Sequence, residues 1–96
     1  MVYEIIYTTE FENDFEELID YLSNKWSIKI AQQLANQLDN LIFVLSKMPF
    51  LGKKSLENPL VRGIVVTDKN ILFYSVKENQ IILLSLFDTR QNLNFP

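Results

Sequence analysis

The 96-residue sequence contains no cysteine and no histidine. The first absence removes disulfide frameworks and thiolate metal sites. The second removes the side chain that most often serves as acid, base or metal ligand near neutral pH. With two glycines in all, the chain has no glycine-rich phosphate cradle, and it has no nucleophile elbow. No apolar run approaches the roughly 18 residues that span a bilayer, and the opening residues are not expected to act as a signal peptide. The expectation is one soluble domain over residues 1–96, in a reducing cytoplasm, without metal, cofactor or membrane contact. A chain of this length buries roughly two thirds of its unfolded surface and needs no staple.

Charge is present and unevenly distributed. Residues 1–24 carry seven acidic groups and no basic one, whereas from Lys25 onward nine basic groups face five acidic ones. Despite a pI near 4.8, such a bipolar chain can turn a basic face to an anionic partner.

The segment from Ile71 to Asn92 organises the rest. Two β-rich runs flank Glu78-Asn79, a two-residue turn. That turn pairs Val76 with Ile81, Tyr74 with Leu83 and Leu72 with Ser85 on one face, and Ser75 with Ile82, Phe73 with Leu84 and Ile71 with Leu86 on the other. Both faces are apolar, as in a central strand pair. Ahead of this hairpin, Val2–Tyr7 reads as a strand. Thr9 and Glu12 fit a capping box for a first helix whose apolar positions are Phe11, Phe15, Leu18, Ile19 and Leu22. Ser27 caps a second, longer helix with Ile30, Ala31, Leu34, Leu38, Leu41, Ile42 and Leu45 on its stripe. The short link predicts an antiparallel helical hairpin with Trp26 packed into its corner. Pro49 and Gly52 end the second helix, and Leu60–Thr67 forms a strand with Gly63 at a bulge or a close approach.

The element order is therefore β-α-α-β-β-β. The fold class is α+β, two-layer, with the helical hairpin on one face of a mainly antiparallel four-stranded sheet. A split βαβ arrangement needs a strand between the helices, for which residues 23–27 leave no room. Two helices cover one side of such a sheet, so the other side, expected to bear Leu72, Val76, Ile81, Leu83 and Phe87, exceeds what a monomer normally exposes. A partner protein or a second copy should cover it.

The residues able to do chemistry are sparse and basic: Lys53, Lys54, Arg62 and Arg90. Clustered cations stabilise a phosphorane-like transition state; solubility and surface ion pairs are the plainer reading for the two lysines. Arg62 lies within an apolar strand, and its facing depends on register. A two-residue Asp68-Lys69 loop pairs it with Ser75 on the Phe73 face, whereas a one-residue slip or a bulge at Gly63 turns it to the Tyr74 face. There, guanidinium and phenol together would make a binding spot for RNA or a partner. Asp88 and Arg90 either pair with each other at the strand end or serve function directly.

Several strings converge on a known family: Tyr21-Leu22 after an acidic first helix, Pro49-x-x-Gly52-Lys53, Val61-Arg62, Ile71 to Val76, and the closing Phe87-Asp88-Thr89-Arg90-Gln91-Asn92. In that order they resemble the RelE/ParE superfamily of bacterial type II toxins, known also from plasmid stabilisation systems. The resemblance implies sheet order 1-4-3-2, with the first strand beside the last, and a cognate antitoxin whose extended C-terminal region wraps the toxin. It implies growth arrest, with translation as the first expected target and DNA gyrase as the alternative. One branch resembles ribosome-dependent mRNA endonucleases (mRNA interferases), with Lys53, Lys54, Arg62 and Arg90 as its candidate catalytic residues. These enzymes also use a Tyr or His near the C-terminus, and neither residue follows Tyr74 here. The other branch resembles ParE, which poisons DNA gyrase without a known nuclease site; a catalytically inactive binding relative is the remaining option. Tyr74, Leu72, Val76, Leu83 and Phe87 are the candidate binding residues, and a homodimer or toxin–antitoxin hetero-oligomer the candidate assembly.

Overall fold

In the computed structural model, which describes residues 2–90, the elements run β1 (Glu4–Tyr7), α1 (Thr9–Lys25), α2 (Ile28–Lys47), β2 (Lys53–Lys54), β3 (Arg62–Thr67), β4 (Asn70–Lys77) and β5 (Gln80–Asp88). They form a helical hairpin against one mixed sheet of order β1-β5-β4-β3-β2. β1 lies parallel to β5, and the remaining pairs are antiparallel. The expected four-strand order is present, with the two-residue β2 added at the edge beyond β3. Gln91 and Asn92, the end of the closing motif, lie outside the described residues.

Both helices start on hydroxyl caps. The Thr8 hydroxyl accepts the Phe11 N–H at 3.1 Å and donates to the Leu83 carbonyl at 2.7 Å, so the cap is Thr8 rather than the expected Thr9. Ser27 accepts the Ile30 N–H at 3.1 Å. The apolar stripes then meet the sheet: Leu18, Leu22, Leu45, Leu72, Tyr74, Ile81 and Leu83 are fully buried, each large apolar side chain contributing about 1.5–3 kcal/mol of burial. β1 stops at Tyr7, which leaves the second half of β5 without a strand neighbour on that side. α1 takes over there, and the Asp14 carboxylate accepts the Leu86 N–H at 3.0 Å.

The β4–β5 turn forms as expected, with Glu78 in the left-handed region at φ 56°. Val76, Ser75 and Tyr74 pair with Ile81, Ile82 and Leu83. Beyond Tyr74 the register moves by one: Phe73 pairs with Ser85, Leu72 with Leu86 and Ile71 with Phe87. Leu84 is the bulged residue. Without it, Ser85 and Phe87 would turn toward the helices; with it, Leu86 and Asp88 do, and both are buried. A second bulge, at Val66 rather than at Gly63, lies between the Thr67–Asn70 and Val65–Ile71 pairs. It sets Arg62 opposite Tyr74. Gly63 accommodates a close approach: a Cβ there would lie 3.3 Å from the Phe73 ring.

These bulges correct the face assignment. Leu72, Ile81 and Leu83 lie beneath the helices at 0% exposure, Val76 packs against the same core, and Tyr74 is sealed there too. Of the residues expected on the uncovered side, only Phe87 lies there, in register with Ile71 and next to Phe73. Both faces were apolar in the sequence, and what distinguishes them is which one the two helical stripes meet. The sheet's other apolar side is lined by the opposite residue set: Ile71, Phe73 and Phe87 are partly exposed there, and α1 reaches it at the β5 edge, where Asp14 and Glu17 border a hollow with Phe73 and Phe87.

Candidate functional site

The turn after α2 is fastened from two sides. Tyr74, in the middle of β4, donates its hydroxyl proton to the Pro49 carbonyl at 2.9 Å and accepts the Gly52 N–H at 2.8 Å. Arg62, its cross-strand partner on β3, donates to the Gly52 carbonyl at 2.7 Å and the Phe50 carbonyl at 3.3 Å. The guanidinium also lies 4.9 Å from the centre of the Phe50 ring. The Tyr74 phenol is pushed above its ordinary range by burial, against the opposing pull of the Gly52 N–H and the Arg62 charge. At neutral pH it is a protonated hydroxyl with donor and acceptor capacity both in use.

A second polar cluster occupies the far end of the same strands. Asp88, fully buried, is ion-paired with Arg90 at 2.8 Å and accepts a hydrogen bond from the Asn70 amide. The Asn70 oxygen accepts the Thr67 hydroxyl at 2.6 Å, which ties the β3–β4 turn into the network. Burial alone would raise the Asp88 carboxyl, but hydrogen bonds from Arg90 and Asn70 outweigh it and hold the group below the usual carboxylate range. Arg90 also sits 5.7 Å from the Trp26 ring centre. Trp26 is 55% exposed, so it is a platform for Arg90 at the helix corner and not the packed residue expected.

The four candidate basic residues therefore divide. Lys54, Arg62 and Tyr74 occupy successive cross-strand positions, and Lys53 pairs with Gly63 beside them. Arg90 belongs with Asp88 and Asn70, four residues of β4 away from Tyr74, or about 13 Å at ~3.3 Å per strand residue. Both arginines are engaged by their own chain.

Two further surfaces were not picked out by sequence. A cleft of about 520 Å³ has Phe11, Phe15, Ile19, Leu38 and Ile42 among its lining, with Glu12, Glu16, Asp20 and Asp39 completing an acidic border. Its apolar residues belong to the helical stripes, which sequence assigns to core. Just beyond it, around the C-terminal end of α2, Phe43 (62% exposed), Met48 (55%) and Phe50 (59%) stand out in solvent. The signal for these was available: Phe43 is an aromatic residue off the helix stripe.

Comparison with known proteins is decisive at the level of family. The family model described as the ParE toxin of the type II toxin–antitoxin system parDE matches residues 5–93, nearly the whole chain. The chain belongs to the ParE toxin family. Solved structures agree with this in fold. The ParE-family chain is similar to a protein of the chromosomal ParDE system from P. aeruginosa, with 16% identity, 91% of this chain and 96% of that one covered, and a TM-score of 0.76. It is similar to a chain of the RelBE2 toxin–antitoxin complex from Mycobacterium tuberculosis, with 17% identity, 92% and 99% coverage and a TM-score of 0.66. It is also similar to a YoeB/ParE toxin from Agrobacterium tumefaciens, with 12% identity, 88% and 96% coverage and a TM-score of 0.68. No curated protein sequence matches it. The ParE-family chain is thus a toxin of a type II toxin–antitoxin system, and none of its described helices is long and apolar enough to cross a membrane.

Proposed function

We propose that this ParE-family toxin arrests growth in the cytoplasm by gripping a macromolecular target, DNA gyrase on this reading, without cutting RNA. A cognate antitoxin holds it inactive. The observation that carries the reading is the disposition of the cations. Arg62 is spent on two backbone carbonyls and Arg90 on buried Asp88, at separate ends of the sheet. RNA cleavage asks for charges converging on one phosphorane and for a group free to move a proton. The sequence has no histidine, and the Tyr74 phenol is sealed with both its hydrogen bonds internal. The antitoxin is supported by the apolar side of the sheet carrying Ile71, Phe73 and Phe87, and by solved relatives described as toxin–antitoxin systems.

A second reading, ribosome-dependent mRNA cleavage, draws on the row Lys54, Arg62, Tyr74, which gathers two cations beside a phenol. One pair of assays separates the two. Purified toxin is added to gyrase supercoiling relaxed plasmid, and separately to ribosomes programmed with a defined transcript. The proposal expects blocked supercoiling or gyrase-dependent DNA breaks, with the transcript intact. Transcript cuts that disappear in Arg62→Ala, with gyrase unaffected, would transfer the function to the second reading.

A further inference from the structure

Around the C-terminal end of α2 the chain exposes apolar and aromatic side chains that its own core does not use. Phe43, Met48, Phe50 and Leu51 are each about half exposed or more. They are interleaved with cations. Lys47 lies 4.5 Å from the centre of the Phe43 ring, and Arg62 lies 4.9 Å from that of Phe50. No acidic residue occurs between Asp39 and Glu57, while Lys47, Lys53 and Lys54 fall in that interval. On a chain of net charge −3, this is a local inversion of sign around an apolar centre. The turn that carries Phe50 and Leu51 is also held in place, since Tyr74 and Arg62 make four hydrogen bonds to Pro49, Phe50 and Gly52. A fixed turn presents its side chains without paying the ordering entropy of a mobile loop.

We infer that this face, centred on Phe43, Met48, Phe50 and Leu51 and bordered by Lys47 and Arg62, is the surface with which the toxin grips its target, a protein presenting apolar pockets edged by carboxylates. The inference rests on the non-catalytic reading above and adds to it the place of contact. Aromatic residues, Met and Arg are the types enriched at the cores of protein interfaces and among their energetic anchors. A nucleic acid backbone would instead require guanidinium groups free to pair with phosphate. Here the Arg62 head is already occupied, so what it offers outward is its flank and the ring beneath it. The acidic cleft between the helices adjoins this face, with Asp39 one helical turn before Phe43, so a carboxylate-edged target is drawn to the Lys47 and Arg62 side and turned away from the cleft.

The test is growth arrest on induced expression in a bacterial host, with the thermal midpoint of each purified chain as a check on folding. Phe43→Ser/Met48→Ser and, separately, Lys47→Glu are the test variants. Ile28→Ser, equally exposed at the opposite end of α2, is the control. The expected result is that both test variants raise the inducer dose needed for arrest by on the order of tenfold or more, with unchanged midpoints and a fully active control. If both variants arrest growth like wild type, the inference falls and the non-catalytic reading survives. If wild type leaves growth untouched, that reading falls and the assigned role of this face goes with it. Binding of a short single-stranded RNA by wild type, steeply salt-dependent and lost in Lys47→Glu, would overturn the inference in favour of a nucleic-acid surface.

Discussion

Gly52 and Tyr74 are fitted to each other. The Gly52 N–H meets the Tyr74 hydroxyl at 2.8 Å, and a Cβ added to Gly52 would stand 2.7 Å from that oxygen, 2.9 Å from the ring and 3.0 Å from the Gly63 carbonyl. The glycine is there for space, since its backbone is not in the left-handed region. Gly52→Ala is expected to destabilise the fold by about 1–3 kcal/mol, the usual cost of overpacking. Urea unfolding at neutral pH measures it. Adding Tyr74→Phe, which removes the nearest atom, should make the double variant less unstable than the sum of the singles. Strict additivity would show that the contact does not limit the site.

The buried phenol gives stability an alkaline limit. Because burial raises Tyr74 above its ordinary value of 10.0, the folded chain holds that proton more tightly than the unfolded one. Its contribution is complete below pH 10 and declines as pH climbs from there toward the raised folded value. Unfolding free energy measured in urea across that range should fall in wild type. In Tyr74→Phe the curve should be flatter. Equal slopes would contradict the assignment.

Asp88 imposes the opposite dependence. Its carboxyl is held below the ordinary 3.8 in the folded chain, so its contribution is present above pH 3.8 and is lost as pH falls below that toward the lower folded value. Asp88→Asn should shallow the acid limb of the stability curve. Asp88→Ala should cost about 3 kcal/mol at neutral pH, since it strands Arg90 and the Asn70 amide against a buried gap. Chemical denaturation of both variants at several pH values distinguishes the charge effect from the loss of packing.

The two helix caps differ in what they connect. Ser27→Ala should cost about 1 kcal/mol, the ordinary loss of an N-cap. Thr8→Ala should cost roughly 2 kcal/mol, because it also removes the hydroxyl donor to the Leu83 carbonyl at 2.7 Å and leaves that acceptor only the longer 3.4 Å bond from the Thr8 N–H. Thermal midpoints of the two variants give the order directly, and equal losses would mean that the Leu83 contact contributes nothing net.

Much of this architecture was legible because local chemistry and periodicity agree. Ser27 followed by an apolar stripe located α2, Pro49 ended it, and Glu78-Asn79 placed the turn from which the first pairs of the central hairpin follow. What escaped was long-range. Nothing near Leu84 or Val66 marks a bulge, because what places each extra residue is what the rest of its strand meets in the fold: burial of Leu86 and Asp88 in one case, the Arg62–Tyr74 pairing in the other. Counting pairs outward from the turn therefore went wrong after Tyr74. The choice of covered face was equally hidden, since Leu72 and Ile71 sit on opposite sides of one strand with the same hydrophobicity. Lys53, Lys54, Arg62 and Arg90 stood out as basic residues, but sequence could not show that Arg62 faces Tyr74 while Arg90 is bound to Asp88. The exposed end of α2 was there to be noticed in Phe43, an aromatic residue without a place on its helix stripe.

The extra residues at Leu84 and Val66 flank β4 on either side. Deleting one would barely shorten the protein, yet every side chain beyond it would exchange inside for outside: Asp88 would meet solvent, or Arg62 would leave Tyr74. Losing two neighbouring residues instead would preserve that parity and sacrifice only length. Natural variants of this chain should therefore tolerate indels in these strands in even steps and reject odd ones.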